Sequence, residues 1–139
     1  MRIALIGCVK AKLAQPAPAA DLYVSPLFTG RRAWAERHCD TWYVVSALHG
    51  LIHPNDIISP YDVTLIGASA AEKRRWASRV LGQFRDRHPS GSGTVEFHAG
   101  GDYRAHGLAA GLAADGWIVD NPTEGMGIGT QLAFYAAAR

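Results

Sequence analysis

Cysteine is scarce in this chain, with only Cys8 and Cys39 among 139 residues. Two thiols so far apart form neither a CxxC pair nor a disulfide framework, so both are expected to be reduced and the fold to stand on its apolar core. Long hydrophobic runs are missing as well. No stretch approaches the roughly 20 apolar residues that cross a bilayer, and the opening strand-like run lacks the length of a signal peptide. The expectation is a soluble, cytoplasmic protein with no membrane partner. Charge of one sign is also lacking: 14 Lys and Arg against 12 Asp and Glu leave a formal +2, too little to indicate a polyanionic partner by itself. The six histidines are scattered, and neither a metal site nor a cofactor is expected. No GxSxG elbow is present, which argues against a Ser-His-Asp hydrolase. Gly125, Gly127 and Gly129 are spaced GxGxG after the last strand, which is not the dinucleotide fingerprint.

What is present is the alternation of an α/β protein. Arg2–Ile6 is a continuous apolar run, as in a central parallel strand covered on both faces. Ser25-Pro26 starts a helix that runs to about His38, with Ser at the cap and Pro at the first helical position; the Ser25 hydroxyl either caps or faces a ligand. Thr41–Val45 is a second strand. Ala70–Phe84 is an amphipathic helix with Trp76, Val80, Leu81 and Phe84 on one face. Thr94–His98 is a third strand, Asp102–Ala114 a helix capped by Asp102, Trp117–Val119 a fourth strand, and a last helix carries Leu132, Phe134 and Tyr135. Strand and helix alternating throughout predicts one three-layer α/β/α domain over residues 1–139, with a mainly parallel sheet of about four strands.

The stretch Ser46–Asp62 is the feature around which the chain is organised. It reads as an ordered loop, because proline, glycine and polar residues interrupt it while Leu48, Leu51, Ile52, Ile57, Ile58 and Tyr61 carry too much apolar surface to leave in water. In a parallel sheet all strand-to-helix loops open on the carboxyl edge, where ligands bind. That places Cys8 and Lys10, Ser46–Asp62, Gly100–Tyr103 and Glu124–Gln131 together. Cys8-Val9-Lys10-Ala11-Lys12 is either an anion-facing loop or a tight turn with surface lysines. His49 is either a general acid or base or a structural donor to the loop. Asp62 either orients a base and holds water or serves as a turn carboxylate. Tyr61 either stacks on a ring or belongs to the core. Glu124, among glycines that let a ligand approach the backbone, is placed to contact a sugar hydroxyl or activate water. Lys73, Arg74, Arg75 and Arg79 form either a nucleic-acid face or a solvated helix face.

The series Gly7-Cys8-x-Lys10, Asp21-Leu22-Tyr23-x-Ser25-Pro26-Leu27-Phe28, Trp42-Tyr43-x-x-Ser46-Ala47-x-His49-Gly50-Leu51, Pro60-Tyr61-Asp62 and Gly125-x-Gly127-Ile128-Gly129-x-Gln131 resembles a family of small bacterial, actinobacterial and phage proteins catalogued as a domain of unknown function. That family looks distantly similar to the YaaA peroxide-stress proteins and, in layout, to the uracil-DNA glycosylase superfamily. The order Pro60-Tyr61-Asp62 departs from the Asp-Pro-Tyr of the glycosylases, which argues against base excision from duplex DNA.

The resemblance, together with the residues, implies an enzyme acting on the N-glycosidic bond of a nucleotide, nucleoside or nucleic-acid base. His49, Asp62 and Glu124 would be catalytic. Cys8, Lys10, Ser25, Ser46, Gly50, Tyr61, Gly100, Tyr103, Gly127 and Gln131 would bind substrate. The alternative is a non-catalytic nucleotide- or nucleic-acid-binding protein of a stress response, with single-stranded nucleic acid on Lys73, Arg74, Arg75 and Arg79.

Overall fold

Ile3, Ala4, Leu5 and Ile6 have no solvent exposure on either side of their strand, which requires helices on both faces of the sheet. The computed structural model, which describes residues 1–138, has this arrangement. The chain forms β1 (Arg2–Gly7), β2 (Ala17–Pro18), α1 (Ala19–Leu22), α2 (Pro26–His38), β3 (Thr41–Ser46), β4 (Gly50–Ile52) and β5 (Ile57–Ile58). It continues through α3 (Ala70–Arg87), β6 (Thr94–His98), a 3-10 turn at Gly101–Tyr103, α4 (Leu108–Ala114), β7 (Ile118–Asp120) and α5 (Ile128–Ala137). The main sheet has the order β4-β3-β1-β6-β7. β1 is parallel to β3 and β6, and β7 is parallel to β6, while β4 is antiparallel to β3. The mainly parallel α/β/α architecture read from the sequence is therefore present.

Alternation along each strand sends side chains to two separate cores. Ile3, Leu5, Tyr43, Val45, Val95 and Phe97 pack with Trp76, Val80 and Phe84 of α3 and Leu108 and Leu112 of α4. Ala4, Ile6, Trp42 and Val44 pack on the opposite face with Leu22, Tyr23, Phe28 and Ala35. Burying a side chain such as Val80 or Phe84 contributes about 1.5–3 kcal/mol, so the apolar stripe of α3 fixes that helix to the sheet. Its start is set by Ser69, whose hydroxyl accepts from Glu72 N at 3.1 Å. At the head of α2, Ser25 Oγ accepts from Phe28 N at 3.0 Å, with Pro26 beginning the helix.

Three elements differ from the expectation. Ser46–Asp62 is not one irregular loop: β4 folds back on β3 through a tight turn, and β5 pairs with β2 in a separate two-stranded ribbon. The apolar residues at 51, 52, 57 and 58 are strand residues, too short a run to show period-2 alternation. The turn is closed by Gly50 at φ +73°, a conformation that glycine adopts without strain. The expected helix Asp102–Ala114 is interrupted, since α4 starts only at Leu108 after Gly107 at φ +120°. Asp102 does not cap it; its carboxylate accepts from Lys73 Nζ at 2.8 Å. The last strand begins at Ile118, one residue later than expected, because Trp117 turns into the core under α3.

Candidate functional site

The strand order contains a topological switch. From β1 the chain crosses to its neighbour β3, and from β6 it moves away on the other side of β1 to β7. The loops after β1 and β6 therefore diverge, leaving a crevice beyond their carboxyl ends, where open α/β sheets bind ligands. A cavity of about 450 Å³ lies there, lined by Cys8, Val9, Lys10, Lys12, Asp62, Val63, Thr64, Ile66 and Tyr103. Its size suits a drug-sized or nucleotide-sized ligand. The floor is half-buried Cys8, whose Sγ lies 3.5 Å from the Tyr103 hydroxyl. Burial pushes the Tyr103 phenol up to about 12, so it remains a neutral donor at physiological pH. Lys10 and Asp62 are exposed at the mouth, and neither forms an ion pair among the described residues.

Beside this crevice, Ser46, Tyr61 and Tyr23 form a chain of hydroxyls with both O···O distances at 2.6 Å. Ser46 is fully buried, and its Oγ already accepts from Leu48 N at 3.2 Å and His49 N at 3.1 Å. Its own proton therefore goes to Tyr61, which donates in turn to Tyr23. Burial raises both phenols, Tyr23 to about 12 and Tyr61 further, which keeps the chain uncharged. Lys12 Nζ stands 4.6 Å from the centre of the Tyr61 ring, a cation–π contact. The His49 ring packs edge-on against the same ring at 5.4 Å. From the other side, α3 clamps the turn. Arg79 donates to Leu48 O and His49 O, while Gln83 bonds Leu51 N and His49 O.

A second cavity, of about 190 Å³, opens between the loops after β6 and β7. It is polar, with Arg31, Arg104, Asn121, Thr123, Glu124 and Gln131 among its lining residues. Beneath it runs a buried network that starts at Glu96, whose carboxylate accepts from Arg2 Nη1 at 2.5 Å, Trp34 Nε1 at 2.9 Å and His98 Nε2 at 3.0 Å. Burial alone would raise Glu96, but those three donors outweigh it and hold the carboxyl near 2. Burial also lowers His98, so the ring is neutral with its proton on Nε2. His98 Nδ1 then accepts from the Tyr135 hydroxyl at 2.7 Å.

The residues singled out in the sequence are thus divided. The first cavity takes Cys8, Lys10, Asp62 and Tyr103, and the second takes Gly100, Glu124 and Gln131. The common cleft expected for His49, Asp62 and Glu124 is not formed, because the β6 loop separates the two cavities and His49 lines neither. Ser25 spends its hydroxyl on the helix cap, Ser46 on the hydroxyl chain, and Gly50 on the turn. Gly127 is the exposed residue at the N-cap of α5. Among the four α3 cations singled out in the sequence, Lys73 is paired with Asp102 and Arg79 is bound to the turn. Only Arg74 and Arg75 of that set remain exposed without such a partner among the described residues.

Arg104, Asn121 and the pair Glu96 and His98 were not among the residues the sequence singled out. One signal was available for the pair: polar residues two apart inside an otherwise apolar central strand face the same layer and need buried partners. Among the described residues no group of three or more His, Cys, Asp or Glu is arranged to hold a metal ion. No helix among them is long and apolar enough to cross a membrane.

This arrangement can be set against known proteins. The chain belongs to a family of unknown function, DUF6884. The family pattern matches residues 3–137, which takes in both cavities and all of the sheet but Arg2. It is also similar to the uncharacterized protein YfjM of Bacillus subtilis (strain 168), with 37% identity over 70 residues. That match covers 45% of this chain and 47% of the relative, so the chain spans about half the length of YfjM. No solved structure matches it.

Proposed function

We propose that this chain takes a nucleotide, nucleoside or nucleobase into the crevice at the β1/β6 switch point. The observation that carries the reading is the lining of that cavity, which joins Lys10, Lys12 and Asp62 with the apolar Val9, Val63 and Ile66 and the ring of Tyr103. An apolar wall suits a planar base, and two ammonium groups suit a phosphate. The likeness to the YaaA proteins and to the glycosylase layout, read from the sequence motifs alone, favours the same ligand class.

Within this reading the reaction is hydrolysis of an N-glycosidic bond. The bond from C1′ to the base nitrogen breaks with its electron pair leaving on the base. A water oxygen bonds C1′, and the proton lost by that water ends on the departing base. Asp62 is the carboxylate in this cavity that stabilises the oxocarbenium-like state and accepts the proton from water. Binding without catalysis is the second reading, favoured because neither His49 nor Glu124 lines the cavity that Asp62 lines. Single-stranded nucleic acid on α3 would rest mainly on Arg74 and Arg75.

The test is incubation with a panel of nucleosides, nucleotides and short single-stranded DNA, reading released base by chromatography and binding by calorimetry. Base release that falls at least about a hundredfold in Asp62→Asn, with an unchanged Tm, supports the hydrolase. Saturable binding with no release supports the binding reading. Loss of activity in His49→Ala at unchanged Tm would bring that ring into the site. Neither binding nor release across the panel refutes both.

A further inference from the structure

We infer that the second cavity is a phosphate site, separate from the crevice of Lys10 and Asp62, and that Arg31 is its anchoring cation. Arg31 lies inside α2, with 6% of its surface exposed. Its Nη2 donates to Gln131 Oε1 at 3.0 Å, and Gln131 is itself fixed by donating to Met126 O at 3.0 Å. Its Nε is buried with no hydrogen-bond partner. Arg31 forms no ion pair among the described residues. The buried carboxylate on this side of the sheet, Glu96, is already engaged by Arg2, Trp34 and His98. A guanidinium stays charged in a protein, and a desolvated charge with neutral partners is costly. An anion in the cavity would remove that cost.

The remaining walls specify the anion. Arg104 supplies a second guanidinium, tied only loosely to exposed Glu124 at 3.6 Å. Asn121 lines the same cavity, and its Oδ1 is also buried without a partner. A ligand that satisfies both orphaned groups must accept from Arg31 and donate to Asn121. A carboxylate only accepts. Inorganic phosphate does both at neutral pH, because its dianion keeps one hydroxyl beside its acceptor oxygens, and a phosphate monoester does both as the monoanion, below its second ionisation near pH 6. Gly100, Gly101 and Gly125 border the cavity, and a Cβ at any of them would meet no atom within 4 Å. These exposed glycines leave the mouth of the cavity free of side-chain bulk.

The experiment uses the full chain and inorganic phosphate, followed by ³¹P NMR titration and calorimetry at constant ionic strength. Acetate and ribose 5-phosphate are titrated in parallel. Wild type should bind phosphate saturably. Arg104→Ala, at a half-exposed position, should weaken binding by at least about tenfold, as for loss of a charge-assisted hydrogen bond. Arg31→Leu should abolish binding while leaving Tm unchanged or higher, since it removes an unpaired buried cation; a purely structural arginine would instead lower Tm. Ribose 5-phosphate binding more tightly than phosphate identifies a phosphomonoester, and equal binding identifies the free ion. The proposal is overturned if acetate binds as tightly as phosphate, or if no phosphate binds. It also fails if binding survives both arginine substitutions and falls in Lys10→Ala, which would locate the phosphate in the first crevice.

Discussion

Replacing Glu96 by Gln should cost the protein most of its stability advantage at neutral pH and little near pH 2. The carboxylate is buried, 2% exposed, and its three donors hold its pKa at about 2 against an ordinary 4.5. A depressed carboxylate pKa stabilises the fold above the unfolded value and loses that contribution as pH falls through the folded value. The difference of about 2.5 pH units corresponds to about 3 kcal/mol, fully present above pH 5 and gone near pH 2. Glutamine has nearly the shape of a protonated glutamate. It lacks the charge and offers one acceptor oxygen to Arg2, Trp34 and His98. The variant should therefore resemble wild type at pH 2 at every pH, as far as this site is concerned. Neutral, buried His98 also weakens the fold in acid, because the unfolded ring gains a proton below its ordinary 6.5. Glu96 itself raises His98, so this slope is steeper in the variant below pH 6.5, and the two proteins share it only once Glu96 is protonated. Urea unfolding at intervals from pH 8 to pH 2.5 measures the quantity directly, provided the m-value stays constant. The curves should lie about 3 kcal/mol apart at pH 7 and converge in acid. Equal stability at pH 7, or curves that run parallel into acid, would refute the assignment of the carboxylate as charged and stabilising.

Gly50→Ala should destabilise the fold by about 1–2 kcal/mol, read as a lower urea midpoint, because a side chain at φ +73° is strained and its Cβ would run into the Gln83 carboxamide that holds Leu51. A neutral result would mean that the β3–β4 turn tolerates another backbone conformation. If single-stranded nucleic acid binds α3, Arg74→Ala with Arg75→Ala should reduce the slope of log affinity against log salt by roughly 1.4, about 0.7 for each phosphate no longer neutralised. An unchanged slope would return those side chains to solvent.

The sheet was legible because its strands carry the right kind of residue in the right quantity. Ile3–Ile6 and Trp42–Val45 are apolar runs bounded by turn residues, Val95 and Phe97 alternate with polar neighbours, and strand-helix alternation leaves little freedom in how these strands assemble. The helix start at Ser25-Pro26 was an equally local signal. β4 and β5 were hidden by their shortness, at three and two residues, since neither shows a period within itself. Each is defined by a partner elsewhere, β4 by β3 and β5 by β2. Asp102 was misread for a related reason. Its sequence context suits an N-cap, but Lys73, 29 positions away, reaches it across the gap between α3 and the β6 loop.

The division of the candidate residues between two cavities has a geometric cause. A parallel sheet sends every following loop to one edge, which is why Cys8, Asp62, Gly100 and Glu124 could all be placed there from the sequence. It does not make those loops meet. At the β1/β6 switch the loops diverge and leave the larger crevice, while the β6 loop itself, folded into the turn Gly101–Tyr103, stands between that crevice and the space beside β7. Tyr103 faces Cys8 on one side of the turn, and Gly100 and Gly101 border the Arg31 cavity on the other. One short segment thus contributes to both sites, and a ligand in either would press on the same turn. The sequence contains this only as Gly100-Gly101-Asp102-Tyr103, two residues without side-chain bulk followed by an anchor for Lys73 and a ring for the core. Read singly, each has an ordinary explanation; it is their order along one turn that makes a partition.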